Sequence, residues 1–514
     1  MTTPRLGSCC AGALTVLLAG AAGAQTAPPR ASVKVDSATI SGLGARNIGS
    51  AAMSGRIAAL AAVHEGPRLT VYVGAASGGV WKSVNGGTTF KPVFDKQAVQ
   101  SIGAVTIDPK NPKVIWVGSG EAWTRNSASI GDGVYKSTDG GDNWSNLGLR
   151  ESERIAKILV DPTESNTVYI CVPGKLWSDS DERGVYKTTD GGKTWTKVLK
   201  GANASTGCSM MSMDPQNPKT LFAGMWDFRR KGWTFRSGGD GPDAPSASGL
   251  FKTTDGGASW TELDENSARG LPSKPWGRIA VSVAPSKPNV VYAFIEAVPP
   301  KNALYRSEDG GKTWEARDRS QLMIWRPFYF ANLIVDPRNE NKIYKPDLSL
   351  IVSTDGGTSF SNIGGGSHGD FHDVWVDPTS TDHLIAGDDG GLWYSYDAGN
   401  KWWKADNLPV SQFYHVSVDM DRPTTCTAAC RTTAPGSASR SIPAASRAAG
   451  GRTCTVGTAS GCSSIPPTPT TSTPSTRAAR SDASTARLTN RATSSPSPAT
   501  PRASCATTGT RPST

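Results

Sequence analysis

The sequence predicts an all-β fold, a β-propeller of about seven four-stranded blades followed by a disordered tail. Three observations carry that prediction. A turn signature recurs seven times at blade spacing, a Pro-bearing turn alternates with it, and no sustained helical period interrupts them.

The signature is Ser/Thr-x-Asp-x-Gly-x-x-Trp/Phe. It runs from Ser83 to Phe90, Ser137 to Trp144, Thr188 to Trp195, Thr253 to Trp260, Ser307 to Trp314, Ser353 to Phe360 and Ser395 to Trp402. Successive starts lie 54, 51, 65, 54, 46 and 42 residues apart, the length of one small antiparallel sheet with its loops. The acidic position is Asn85, Asp139, Asp190, Asp255, Asp309, Asp355 and Asp397 in turn. A side-chain oxygen there accepts backbone N–H bonds and closes an Asx-type turn. The glycines permit φ > 0, which tight hairpins need. The indole begins the next strand and supplies an apolar plate. These seven residues are therefore expected to be structural.

Upstream of the boxes, "GVWK", "GVYK", "GLFK" and "ALYR" alternate apolar and polar residues, as half-buried strands do. The second turn reads "IDPKNPKVIWVG" from Ile107, "MDPQNPKTLFAG" from Met213 and "VDPTSTDHLIAG" from Val376, with three further copies. Each unit is thus strand, Pro-bearing turn, strand, loop, strand, box, strand. Units of that kind cannot bury their apolar faces alone, so they stack radially. Seven blades are expected from near Gly55 to near Lys404, and "SQFYHVSVD", Ser411 to Asp419, starts an eighth blade or supplies a closing strand.

This grammar resembles the Asp-box (BNR) repeat family. More closely it resembles secreted bacterial proteins with a sortilin-type N-terminal propeller, often labelled glycosyl hydrolases. The residues that carry the likeness are "RNIGSAAMSGRIA" from Arg46, "GAASGGVWKSVNGG" from Gly74, "GEAWTRNSASIGDGVYKSTDGG" from Gly120, "HGDFHDVWVDP" from His368 and "GDDGGLWYS" from Gly387. The likeness implies boxes on the rim, away from a central pocket that binds ligands.

Residues 1–24 read as a secretory signal peptide, with a positive start, a short apolar run and cleavage after Ala24. This places the mature chain outside the cytoplasm, secreted or periplasmic. No other segment is apolar enough to span a bilayer. Residues 25–45 form a linker, 46–422 the propeller and 423–514 a low-complexity tail. Before the tail the mature chain has only Cys171 and Cys208, which either pair in an oxidising compartment or remain a buried free pair.

The net charge of +10 suggests a nucleic-acid partner until it is located. From Thr424 to Thr514 there are ten Arg, no Lys and one acid, Asp482, so +9 of the +10 sits in the tail. The propeller is neutral, and no nucleic-acid partner is expected. The tail has no Trp, Tyr or Phe and cannot bury enough apolar surface to fold. It reads as a linker or stalk, or as an out-of-frame translation. The repeat calls for a strand after Pro423, and "TTCTAACRTTA" permits one in another frame. In that case ring closure is lost and a sheet edge is left open.

The densest polar cluster is His368, Asp370, His372 and Asp373, with Asp388 and Asp389 one strand later. Metal ligation is conceivable at that spacing, but turn and inter-blade hydrogen bonds are the expectation, so no metal and no cofactor are assigned. Arg125, Asp132 and Trp325 join His368, Asp370, His372, Asp388 and Asp389 as candidate ligand contacts. Aromatic plates beside Arg and Asp suit sugar rings and peptide carboxylates. The expected function is a binding propeller holding a glycan or peptide in a central pocket.

The alternative is a glycoside hydrolase, sialidase- or xyloglucanase-like. Hydrolysis needs two carboxylates, about 5–5.5 Å apart for retention or about 6.5–9.5 Å for inversion. Glu121, Asp132, Asp370 and Asp388 are candidates, and no pair can be placed across one cleft from sequence. A sialidase also needs an arginine triad, for which Arg56, Arg125 and Arg278 qualify only if they point inward from different blades. "GGSHG" at Gly365–Gly369 matches a nucleophile elbow in letters only, because a strand follows it instead of a helix.

Overall fold

A computed structural model describes residues 55–125, 128–231, 234–237, 246–323 and 325–411, together with the strands Phe413–Val418, Thr425–Cys430 and Thr453–Thr458. The expected leader, the linker, residues 46–54 and most of the tail lie outside the described residues. Seven antiparallel sheets follow one another, each a meander whose strands neighbour in chain order. Their innermost strands are Ile57–Glu65, Ile102–Asp108, Lys157–Val160, Thr206–Met213, Trp276–Val283, Ile334–Val335 and Phe371–Val376. Blade 1 ends with Lys91–Pro92 and blade 7 with Trp403–Lys404, as the spacing predicts. In blade 4 the second strand, Leu221–Lys231, outruns its sheet and pairs with a short extra strand, Thr234–Ser237. A single cavity takes lining residues from all seven blades, from Leu60 in blade 1 to Asp373 in blade 7, which fixes a common axis.

Every box joins the third and fourth strands of its blade. In blade 2 the Ser137 hydroxyl donates to Asp139 Oδ1 at 2.8 Å, and that oxygen accepts Asn143 N–H at 2.9 Å. Ser137 Oγ in turn accepts Gly141 N–H at 2.7 Å, with Gly140 and Gly141 at φ 78° and 95°. Asn85 supplies the same acceptor in blade 1, because an amide oxygen serves as well as a carboxylate. Blade 7 places Ala398 where the others have glycine, and its φ is still 59°. The bonds around the turn therefore set the backbone, and glycine only makes it cheap.

The boxes also join blades. Lys82 in blade 1 donates to the Gly140 carbonyl of the next box at 2.7 Å. Lys136 reaches Gly191, Lys187 reaches Gly256 and Lys252 reaches Gly310, at 3.1, 2.7 and 2.7 Å. Each of these ammonium groups lies over an aromatic ring of its own blade, Tyr72, Trp116, Tyr169 and Phe222 respectively. At the fifth junction Arg317 donates to Gly356 O at 3.2 Å. Box indoles point back the other way: Trp144 donates to Val93 O at 2.7 Å and Trp195 to Leu147 O at 2.8 Å.

The ring closes between blades 7 and 1 without a shared strand. Ile57, Leu60, Val71 and Val73 pack with Ile385, Leu392 and Val410 in one core. Gly387 is required there, since a Cβ would fall 2.6 Å from Ile57 Cγ2. Asn407 donates to the Gly87 and Thr88 carbonyls at 2.9 and 2.6 Å, standing in for the lysine. Closure is therefore intact over the described residues. Among the described residues, Phe413–Val418 neither closes blade 7 nor starts a four-stranded blade. It pairs with Thr425–Cys430, which pairs in parallel with Thr453–Thr458.

Cys171 and Cys208 are paired, with Cα atoms 5.1 Å apart. They sit on the second strand of blade 3 and the first of blade 4, so the bond staples neighbouring blades.

Replacing Lys187 by Met keeps the apolar stem and removes the donor to Gly256. The expected cost is roughly 1–2 kcal/mol, one hydrogen bond and one cation–π contact, read from chemical denaturation. An unchanged midpoint would show that the lysine clasp does not hold blades 3 and 4 together.

Candidate functional site

Strand alternation divides the ring into two faces. Turns between strands one and two and between three and four share a face, which carries every box and every Pro-bearing turn. Loops between strands two and three, and between blades, share the opposite face. Arg125, Asp132, Trp325, His368, Asp370 and Asp389 all lie on those loops, with Asp388 and His372 at the adjoining strand ends. The candidate ligand residues and the box residues thus occupy opposite faces.

At the centre of the loop face, side chains from blades 1, 2, 6 and 7 converge on Asp389. Its Oδ1 accepts from Tyr329 Oη at 3.0 Å and meets His372 Nε2 at 2.8 Å. Its Oδ2 lies 3.4 Å from Arg125 Nη1, which also donates to Tyr329 Oη at 3.0 Å. Arg56 Nη1 stands 3.7 Å from Asp389 Oδ1, while Arg56 Nε and Nη2 engage Glu121 at 2.7 and 3.1 Å. Burial disfavours the Arg56 charge, but Glu121, Tyr329 and Asp389 around it hold the guanidinium above its usual range. Burial pushes His372 down against the pull of Asp389, which favours the neutral imidazole. Trp123 covers that imidazole at a 5.3 Å centroid distance.

The remaining candidates divide by exposure. Asp388 is fully buried, and burial pushes its carboxyl up to about 7 against the pull of the Trp393 indole and the Gly390 N–H. Asp370 is half-buried at φ 57°, a left-handed conformation, and its Oδ1 has no hydrogen-bond partner. His368 packs against the Gly390 backbone with Nε2 also unpartnered. Asp370 O accepts Asp389 N–H at 3.1 Å, which ties these two residues to the buried network. Trp325 stands exposed on the loop leading to Tyr329. Asp132 is not brought into the cluster. Its carboxylate is used by Tyr135 Oη at 2.8 Å and by Arg150 at 3.6 Å.

Arg56, Arg125 and Arg278 do point inward from blades 1, 2 and 5, but they do not form a free triad. Arg56 and Arg125 are spent on Glu121 and Asp389. Arg278, which burial lowers to about 9, donates to the Phe328 carbonyl at 2.7 Å beneath Trp123. Asp373 is structural: it accepts Leu60 N–H from blade 1 at 2.9 Å and Asn332 Nδ2 from blade 6 at 3.3 Å. Tyr329 and Asn332 were missed by sequence reasoning. The former lies four residues after the candidate Trp325, in the aromatic-rich string "WRPFYF". Among the described residues, no three His, Cys, Asp or Glu side chains are placed to hold a metal ion.

The expected central pocket is corrected by the channel itself. Its cavity of about 50 Å³, lined mainly by small side chains such as Ala58, Ala104 and Ala122, holds only a few waters. It is too small for a sugar or a peptide. A ligand on this side must lie across the mouth. Towards the box face the axis opens into a wider funnel of about 360 Å³, lined by residues such as Met213, Val283, Val335, Pro109 and Pro215 and by no carboxylate.

Fold and mouth together define a seven-bladed propeller with a loop-built polar site. A family model described as Sortilin-Vps10 (sortilin, neurotensin receptor 3) matches residues 78–223 and 132–270. A probable oligoxyloglucan-reducing end-specific xyloglucanase of Neosartorya fischeri is 26% identical over 330 residues, covering 56% of this chain and 36% of that protein. Xyloglucanase Xgh74A of Acetivibrio thermocellus is 22% identical over 350 residues, covering 57% and 36%. This chain therefore spans about a third of the length of the curated relatives it matches. Among solved structures, an ancestral GH74 enzyme aligns with a TM-score of 0.43 at 17% identity, covering 75% of this chain and 54% of that one. YCF48 bound to D1 peptide aligns at 0.44 and 14% identity, covering 68% and 95%. No helix among the described residues is long and apolar enough to cross a membrane.

Asp388 gives this face a pH signature. The folded state keeps its proton up to about pH 7, whereas an unfolded aspartate releases it near pH ~4. Folding therefore takes up a proton between those values, and stability falls as pH rises through that window. In Asp388→Asn this contribution is absent. Denaturation midpoints of the two proteins should diverge in favour of the variant from pH 4.5 to pH 8, and parallel curves would contradict the assignment.

Proposed function

We propose that this chain is an exported propeller of the glycoside-hydrolase type, acting on a β-glucan of the xyloglucan class laid across its loop face. Asp370 carries the reading. It is a half-buried carboxylate at the mouth whose Oδ1, itself shielded from water, has no hydrogen-bond partner; it holds a backbone conformation unusual for a non-glycine residue, and it is anchored to the Asp389 network. On the same loop His368 Nε2 is a second buried polar atom without a hydrogen-bond partner. Arg125 and Trp325 supply a charged hydrogen-bond donor and an apolar plate at the same rim. The naming of the matched curated relatives as xyloglucanases supports the substrate class. The leader expected at residues 1–24 supports export.

Arg56 is spent on Glu121 and Arg278 on the Phe328 carbonyl, so Arg125 alone of the three faces the rim and no arginine triad stands ready for a carboxylate, which favours a neutral glycan over a sialoside. Turnover of xyloglucan oligosaccharides, mixed-linkage β-glucan and sialosides by the full chain tests this. Activity is expected on the first class, and Asp370→Asn should lower it at least ~100-fold, the scale for losing a group that meets the reacting centre. Wild-type turnover that survives Asp370→Asn, or turnover confined to sialosides, would overturn the reading.

A second reading, a peptide-binding module, is favoured by the apolar, carboxylate-free funnel on the box face. Calorimetric titration with extended apolar peptides distinguishes it: tight binding that Met213→Gln weakens, with no glycan turnover, would replace the first reading.

A further inference from the structure

Blade 7 departs from the other six at solvent-facing positions that the repeat itself identifies. The second box position is Val84, Thr138, Thr189, Thr254, Glu308 and Thr354 in blades 1 to 6, and Tyr396 in blade 7. The residue after the box aromatic is Lys91, Ser145, Thr196, Thr261, Glu315 and Ser361, and Trp403 in blade 7. The Pro-bearing turn repeats the pattern. His383 O accepts the Asp377 N–H, as Thr167, Thr220, Val290 and Lys342 accept the corresponding bond in their own blades. Six blades hold the box without an aromatic ring at either box position, and blades 3 to 6 hold the Pro-bearing turn without one at the third, so the fold does not require one.

The rings form a continuous strip on the box face. His383 stacks on Tyr396 with centroids 4.5 Å apart and planes 9° from parallel. Tyr396 meets Trp403 at 5.9 Å, and Trp375 meets the other side of His383 edge-on at 5.7 Å. Behind the strip, Asp377 fixes the imidazoles. His383 Nδ1 and His64 Nε2 lie 3.0 and 2.9 Å from its Oδ2. Yet the outer two rings are not buried by this packing: Tyr396 remains 58% and Trp403 51% exposed. Large side chains held in place but left open to water mark a contact surface. The polar rim here is acidic and hydroxylic, with Asp382, Ser380 and Thr379 exposed. That rim supplies acceptors for sugar hydroxyls, while the ring faces suit the apolar faces of pyranose units.

We infer that Tyr396 and Trp403 form a surface platform for a polysaccharide chain, on the face opposite the mouth and separate from it. The polysaccharide as ligand class rests on the proposed function, whereas the site itself rests on blade 7 alone. The platform holds the polymer to the protein while the mouth engages a different stretch.

Native gels cast with soluble xyloglucan, with mixed-linkage β-glucan, or with neither, test this on the full chain. Wild type should be retarded by at least one polymer. Tyr396→Thr with Trp403→Ser installs residues the other blades carry, and should weaken binding at least ~10-fold, the scale of losing two ring contacts. Near-UV circular dichroism checks that the variant folds, and the two single changes serve if it does not. Thr138→Ala with Ser145→Ala, at the same two positions of blade 2, should be retarded as wild type is, and turnover of short xyloglucan oligosaccharides reads the mouth separately, so a failed mouth and a failed platform are told apart. No retardation of wild type, equal retardation of the variants that lose the rings, or binding of an apolar peptide in place of either polymer at these rings would overturn the inference.

Discussion

The ring depends on one contact repeated between neighbours: a cationic side chain of one blade reaching a glycine carbonyl in the next blade's box. The carbonyl belongs to a turn that bends through two positive-φ glycines and faces away from its own sheet. Unsatisfied, it would be costly where it is partly enclosed. The lysine that answers it lies across an aromatic ring of the preceding blade, so one ammonium binds a turn and a core together. Burial lowers Lys136 and Lys252, the electrostatic price of that position. The last two junctions lack a lysine because Val352 and Tyr394 occupy its place. There Trp402 bonds to Ile363 O at 2.5 Å, and Asp373 and Asn407 take over.

Placing the invariant contacts on one face releases the other. The box face is bound by turns whose hydrogen bonds fix their length and residue types. The loop face has no such repeat, and there the blades differ: a long hairpin in blade 4, a looped connection before blade 6, a glycine-rich turn before blade 7. The Asp389 network draws on four of these blades at once. It braces the mouth and leaves Asp370, His368, Arg125 and Trp325 at its edge.

The sequence was legible where the physics is local. Each box is closed within eight residues, and each Pro-bearing turn within a similar span, so fold, blade number and the placing of the box residues could be read directly. The mouth was not. Arg125 meets Tyr329 across 204 residues and Leu60 meets Asp373 across 313, separations at which no pattern in one sequence signals contact. The clustering of His368 to Asp373 with Asp388 and Asp389 was visible, yet burial decides their roles. Asp373 turned out to tie three blades, Asp132 to serve its own loop, and the three arginines to be occupied. The pairing of Cys171 with Cys208 was left open because a blade boundary separates them along the chain. The odd chemistry of blade 7 was present in the letters all along, but only superposing the boxes makes Tyr396 and Trp403 stand out.

Closure between blades 7 and 1 relies on side chains and one main-chain bond, Gly55 N–H to Val410 O at 2.5 Å, with every strand of each blade contiguous in the chain. A ring stitched in that way has no blade that must come first. Its seams are topologically equivalent, so joining the two meeting ends and opening a turn elsewhere preserves each sheet whole. The same modularity allows such a ring to gain or shed a blade by duplication or deletion of one coding segment, with a single new boundary to repair.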